Sequence, residues 1–149
     1  MKFAETKRQK GRRGNVLLEF AIVSPVLLIL TCAVCDFSRL FNVANTAVGA
    51  TGAGLEYASI GPEYWSDYAD IQTAALNDTG PYTGATATAS NFCTCSIGGT
   101  QYTCPTTCNS GTQEEYVTVS VTIPFVHVFN YPFLRNPLNI TDTSSVRVQ

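Results

Sequence analysis

The sequence predicts an α+β fold organised on one long N-terminal helix, and three observations carry that prediction. An apolar run from Val16 to Cys35 holds a single charged residue, Glu19. Small and apolar residues then recur at three- and four-residue steps as far as Ala58, the spacing of one helix face. Beyond residue 80 the period changes to two, as in Tyr116-Val117-Thr118-Val119-Ser120-Val121-Thr122-Ile123, which is the alternation of a strand.

Taken in order, residues 1–14 form a basic leader. Lys2, Lys7, Arg8, Lys10, Arg12 and Arg13 are six of the nine cations, and from Asn15 onward three cations face ten acids. A basic head before an apolar helix is a cytoplasmic anchor by the positive-inside rule and places the C-terminal part across the membrane. So short a head, running straight into such a helix, argues against a nucleic-acid patch. Residues 16–35 are about the length needed to span a bilayer, roughly 20 residues. With a charge inside the run and no small-x-small site after it, the run does not read as a conventional signal peptide. Neither Cys32 nor Cys35 follows a lipoprotein signature.

The helix continues without a break signal. Leu40, Val43, Ala44, Ala47, Val48, Thr51, Leu55 and Ala58 give one apolar stripe, and Asn42, Asn45, Gly49, Gly52 and Glu56 give the opposite face. One helix is therefore expected over 15–60, ending before Gly61-Pro62, with a kink or loosening at Pro25. Gly49, Gly52 and Gly54 each weaken an isolated helix by about 1 kcal/mol, a cost that makes sense where another element packs closely.

Residues 61–149 form the second part, an exported globular α+β domain. A short helix is expected over 63–78, with Tyr64, Tyr68, Ile71, Ala75 and Leu76 on its apolar face. Strands are expected at Ala85–Ala89, at Tyr116–Ile123 and from Ile140 to Val148, antiparallel and covering the apolar stripe. Pro124 should end the second strand or force a bulge, Phe125–Phe129 could resume it, and a loop runs from Tyr131-Pro132 to Asn136-Pro137.

Cys93, Cys95, Cys104 and Cys108 lie in a polar Gly/Thr-rich stretch. Zinc is compatible with their spacing, but no histidine lies nearby, and on the exported side closely spaced cysteines read as a disulfide staple. Of the three possible pairings, a turn at Gly98-Gly99 favours Cys95–Cys104 nested inside Cys93–Cys108. His127, the only histidine, lies between Val126 and Val128 and reads as a packing residue. No phosphate loop and no nucleophile–base–acid arrangement is suggested, so no catalytic residue, metal or cofactor is expected.

The feature that calls for a function is Glu19, because a carboxylate inside lipid costs about 2 to 3 kcal/mol at the membrane centre and less near its edge. Gly14 preceding a bond to Asn15, a basic segment on the cytoplasmic side, and Glu at the fifth position after that bond are what a prepilin peptidase site looks like. Cut there, Asn15 would carry a new α-ammonium that a neighbouring subunit's Glu19 could neutralise in a low dielectric. The alternative is an uncleaved single-pass protein whose outer domain binds a partner and whose Glu19 snorkels to the interface.

Arg13-Gly14 through Glu19-Phe20-Ala21, then Ser24-Pro25 and a leucine run, resembles the TadE-like family, small pilin-like proteins of tight-adherence (Flp, type IVc) pilus systems. The small-residue stretch Ala47–Ala58, the Val117-Thr118-Val119 strand, the Ile123-Pro124-Phe125 step and the closing Ser144-Ser145-Val146 are also similar to it. Leu55-Glu56 departs from the Arg-containing segment usual there, which puts one expected salt bridge in doubt. The resemblance implies a minor pilin or pseudopilin cut after Gly14. It also implies assembly through Glu19, Phe20 and Pro25. The expected partners are the bacterial inner membrane, a prepilin peptidase, other pilin subunits or copies of itself, and the pilus assembly machinery. The N-terminus would be cytoplasmic and the C-terminal domain periplasmic or extracellular.

Overall fold

The computed structural model describes residues 12–95, 99–105, 107–108, 111–129 and 134–149, with side chains from residue 16 onward. Most of the basic leader, Gly98 of the expected turn, and Tyr131 and Pro132 of the expected loop lie outside the described residues. The elements run α1 (Arg12–Ala58), a 3-10 turn (Pro62–Tyr64), α2 (Tyr68–Asn77), β1 (Thr86–Thr94), β2 (Glu114–Phe125) and β3 (Leu138–Arg147). This is the expected α+β composition of one long helix, a short helix and a small antiparallel sheet. The chain forms two compact units, one ending at Ser38 and the other Arg39–Gln149, with the boundary inside α1.

In the second unit, β2 is the central strand of a three-stranded sheet ordered β1-β2-β3, antiparallel throughout. Its alternation is the reason. Val117, Val119, Val121, Ile123 and Phe125 are all buried on one face, where they meet Val43, Ala47, Ala50 and Ala58 of α1 and Ile71 and Ala75 of α2. The buried line on α1 is 43–47–50–54–58, with Thr51 beside it. Val48, expected in the stripe, is instead 57% exposed, because a helix turns it about 100° away from Ala47. Gly54 explains how closely α1 approaches. A Cβ there would meet Val119 Cγ1 at 3.1 Å, Ala75 Cβ at 3.2 Å and the Ile71 carbonyl at 3.3 Å, whereas at Gly52 it would meet nothing within 4 Å.

The segment expected as one helix over 63–78 is divided. Asp67 caps α2, its carboxylate accepting from the Asp70 backbone N–H at 3.2 Å, so the regular helix starts only at Tyr68. Trp65 and Tyr68 pack against the core, and Tyr64 lies edge-on to Tyr57 at 5.2 Å. Pro124 neither ends β2 nor displaces its register, since it pairs with Asn139 inside the strand. β1 pairs nothing past Thr122, so beyond that point β2 has β3 as its only neighbour and tolerates a residue without an N–H. The strand stops at Phe125 and does not resume towards Phe129.

β1 runs five residues further than Ala89, to Thr94, and Asn91 on its inner face is satisfied by donating to Glu115 Oε1 at 2.7 Å. Asp142 puts a carboxylate on the helix-facing side of edge strand β3, a device that disfavours addition of a foreign strand there. The outer face of the sheet is carpeted by hydroxyls. Register places Thr86, Thr122 and Thr141 in one row, Thr88, Ser120 and Thr143 in the next, and Ser90, Thr118 and Ser145 in a third. Between β2 and β3 these hydroxyls bond in pairs at 2.7 to 2.8 Å.

Beyond β1 the backbone makes an antiparallel bridge, Cys93 and Tyr102 exchanging N–H to O bonds of 2.9 and 2.8 Å. Two disulfides staple this region, Cys93–Cys104 and Cys95–Cys108. The staple is as expected, but the pairing corrects the nested reading. Nesting needs Cys95 opposite Cys104, and the Cys93–Tyr102 bridge sets a register four positions away from that, with Cys104 diagonal to Cys93. The two bonds therefore interlace.

Candidate functional site

α1 is described from Arg12, and the Gly14–Asn15 bond has helical geometry. The first described turn holds no acid. The first N–H groups of any helix also lack intrahelical partners.

Asn15 and Glu19 are four residues apart on one helix, which places them one turn apart on the same face. Glu19 is exposed and makes no ion pair with a described residue. Around it Val16, Leu17, Leu18, Phe20, Ile22 and Leu28 are each between 63% and 71% exposed. The run from residue 16 to 35 thus presents a continuous apolar surface around one carboxylate, far more than water tolerates on a folded surface. By length and composition the segment can cross a membrane. α1 runs on through Pro25 without a break. Thr31, in the same run, turns its hydroxyl back onto the carbonyls of Leu27 (2.7 Å) and Leu28 (2.9 Å), which satisfies it without water.

Gly14, Asn15, Glu19, Phe20 and Pro25 therefore lie on one helix, while the four cysteines staple the far end of β1. Two features escaped the sequence reading. Asp36, one residue past the apolar run, is only 5% exposed. Arg39 sets its guanidinium 5.5 Å from the ring centroid of Phe125, a cation–π contact tying the first turn of the second unit to the end of β2. The signal for it was present, since Arg39 is the one cation between Asn15 and Arg135.

His127 is 9% exposed and lies edge-on to Phe125 at 5.1 Å, the packing role read from its neighbours. Sulfur and carboxylate atoms of Cys93, Cys104 and Glu115 approach one another closely, but both sulfurs are already bonded to each other and cannot serve as thiolate ligands. At the far end of the sheet Glu114, 7% exposed, takes Arg147 Nη1 on one oxygen at 2.9 Å and the Tyr116 hydroxyl on the other at 3.0 Å.

No curated protein and no solved structure matches the chain. The comparison with protein families does find a match, and it falls on the helix rather than on the sheet. It opens at the glycine of the motif and takes in Glu19, Phe20, Pro25 and the helix stripe as far as Leu55. Residues 14–55 match the family described as TadE-like protein, the family that the Gly14–Glu19 motif resembles.

Proposed function

We propose that this chain is a minor pilin or pseudopilin of a Tad-type pilus, cut after Gly14 by a prepilin peptidase and assembled through α1. The observation that carries the reading is Glu19. It is the only charge between Val16 and Cys35, set among exposed apolar side chains in a segment that matches the TadE-like family from Gly14 onward. An uncompensated carboxylate there is costly, and a cation supplied by assembly removes the cost. Cleavage creates such a cation in the α-ammonium of Asn15. A neighbouring subunit shifted along its axis by about one turn brings its Glu19 to that ammonium, which sets register while the apolar surfaces pack.

The basic leader holds the N-terminus in the cytoplasm, residues 16–35 span the inner membrane, and the domain formed by 61–149 lies on the periplasmic or extracellular side. The peptidase acts at the Gly14–Asn15 bond, between the basic leader and the apolar run.

The test is the intact mass of the protein extracted from its native membrane, with and without reduction. The expected mass is that of residues 15–149, four hydrogens below the reduced form because of the two disulfides. A mass matching 1–149 would refute processing and leave an uncleaved membrane-anchored protein.

A further inference from the structure

We infer that the disulfide-stapled end of the sheet is a binding site for a neutral carbohydrate, with one sugar ring seated between Phe92, Tyr116 and Gln101 and the rest of the chain lying on the hydroxyl face of the sheet. The inference is independent of whether the chain is processed or assembled.

A cavity of about 260 Å³ opens there, lined by Phe92, Thr94, Gly99, Gln101 and Tyr116. Its walls come from two directions. Phe92 and Tyr116 are a cross-strand pair on the outer face, with rings parallel to within 4° and centroids 5.1 Å apart. Gly99 and Gln101 come from the loop that the Cys93–Tyr102 bridge and the Cys93–Cys104 disulfide strap to the end of β1. The Tyr116 ring is further held by its hydroxyl bond to Glu114, itself paired with Arg147. The walls are thus fixed before any ligand arrives, which removes much of the ordering cost of binding.

The independent observation is Thr94. It lines the cavity, is 3% exposed, and its Oγ1 is buried with no hydrogen-bond partner. The large majority of buried side-chain polar atoms have a hydrogen-bond partner, so an orphan that lines a cavity marks a group open to one. No charged side chain lines the cavity, and the neighbouring charges of Glu114 and Arg147 are spent on each other. An ionic ligand would therefore enter without a counter-charge. What the lining offers is aromatic surface, an amide that can both donate and accept, and a free hydroxyl. A pyranose carries the complement, an apolar C–H face and a rim of hydroxyls. A purely aromatic ligand would use the rings and leave Thr94 and Gln101 unmet.

The surface next to the cavity extends the argument from one ring to a chain. The row following Phe92, Tyr116 and Arg147 is Ser90, Thr118 and Ser145, then come two more rows of hydroxyls. Each bonded pair between β2 and β3 uses one hydroxyl hydrogen and keeps the other, with spare lone pairs on both oxygens. The β1 column, Thr86, Thr88 and Ser90, is exposed. Such a face donates and accepts at short intervals without charge, as a polysaccharide does.

The experiment uses the full chain in a detergent without a sugar headgroup. Ligand-observed NMR and calorimetry are run with three neutral hexasaccharides, cellohexaose, maltohexaose and chitohexaose, and with their monosaccharides. At least one hexasaccharide is expected to bind, more tightly than its monosaccharide. Thr94→Val should weaken that binding about fivefold, one ordinary hydrogen bond, and Gln101→Ala by a similar factor. Thr94→Val should leave the thermal midpoint equal or higher, because it removes an unsatisfied group, whereas a merely structural Thr94 would lower the midpoint and leave binding unchanged. No binding by the native chain to any of the three would overturn the proposal. So would binding that survives both substitutions, or preference for phenol over every sugar.

Discussion

Gly54 and Gly52 sit two residues apart on α1, and the same substitution at each should change stability in opposite directions. Replacing glycine by alanine inside a helix gains about 1 kcal/mol by reducing the freedom of the unfolded chain. At Gly52 nothing opposes that gain, since an added Cβ meets no atom within 4 Å. At Gly54 the new methyl presses on Val119 Cγ1, Ala75 Cβ and the Ile71 carbonyl at 3.1 to 3.3 Å. Val119 can turn about χ1, but Ala75 has no torsion that moves its Cβ and the Ile71 oxygen is backbone, so α2 has to shift as a body. Overpacking of this kind costs about 1 to 3 kcal/mol. Taking about 2 leaves Gly54→Ala near 1 kcal/mol less stable than the native chain and Gly52→Ala near 1 kcal/mol more stable. At about 4 °C per kcal/mol for a unit of this size, the two thermal midpoints should differ by roughly 8 °C. The assay is thermal unfolding of the full chain in micelles, followed by near-ultraviolet circular dichroism, to which Trp65, packed against the core, contributes. Equal shifts for the two variants would refute the close approach of α1 to α2 and β2.

Three further outcomes are expected. Partial reduction, alkylation and tandem mass spectrometry should return Cys93–Cys104 and Cys95–Cys108, and removing the first pair by C93A/C104A should cost about 3 kcal/mol; recovery of Cys95–Cys104 would contradict the register at Tyr102. Glu19→Leu should insert in the membrane at least as well as the native chain yet fail to co-assemble in a pilus-forming strain, and normal assembly would refute the pairing role. Tyr57, Tyr68 and Tyr116 all have phenol pKa values raised above 10.0, first by burial and then by Asp70, Glu115 and Glu114 respectively. A raised folded pKa means that the protonated phenol is favoured in the fold. Its stabilisation is therefore complete below pH 10 and is lost as pH rises through the folded values. The denaturation midpoint should fall above pH 10 and fall less steeply in Tyr116→Phe, and a flat profile through that range would count against the burial of these rings.

The TadE-like segment was legible because it is linear. Gly14, Glu19 and Pro25 keep their spacing on a helix whatever else the chain does. The helix stripe was legible where side chains are large, as at Val43, and misread where they are not. Gly54 carries no hydropathy, yet it marks the tightest approach, while Val48 is apolar and turned outward. β2 announced itself because its inner positions are all large and apolar. β1 did not beyond Ala89, because the strand continues through Asn91, whose partner Glu115 lies 24 positions away. The cystine pairing depends on a backbone bridge between Cys93 and Tyr102 that no spacing of cysteines encodes. The cavity was invisible for the same reason, since register and a strap bring Phe92, Gln101 and Tyr116 together.

The interlacing of the two cystines also governs what a protease can do to this domain. Such exposed loops are where nicking concentrates. A cut anywhere between Cys93 and Cys108 leaves at least one sulfur–sulfur bond across the break, and a cut between Cys95 and Cys104 leaves both. The severed ends stay joined, β1 stays paired with β2, and the damage shows on a gel only after reduction. A domain stapled in this way is clipped without losing either piece.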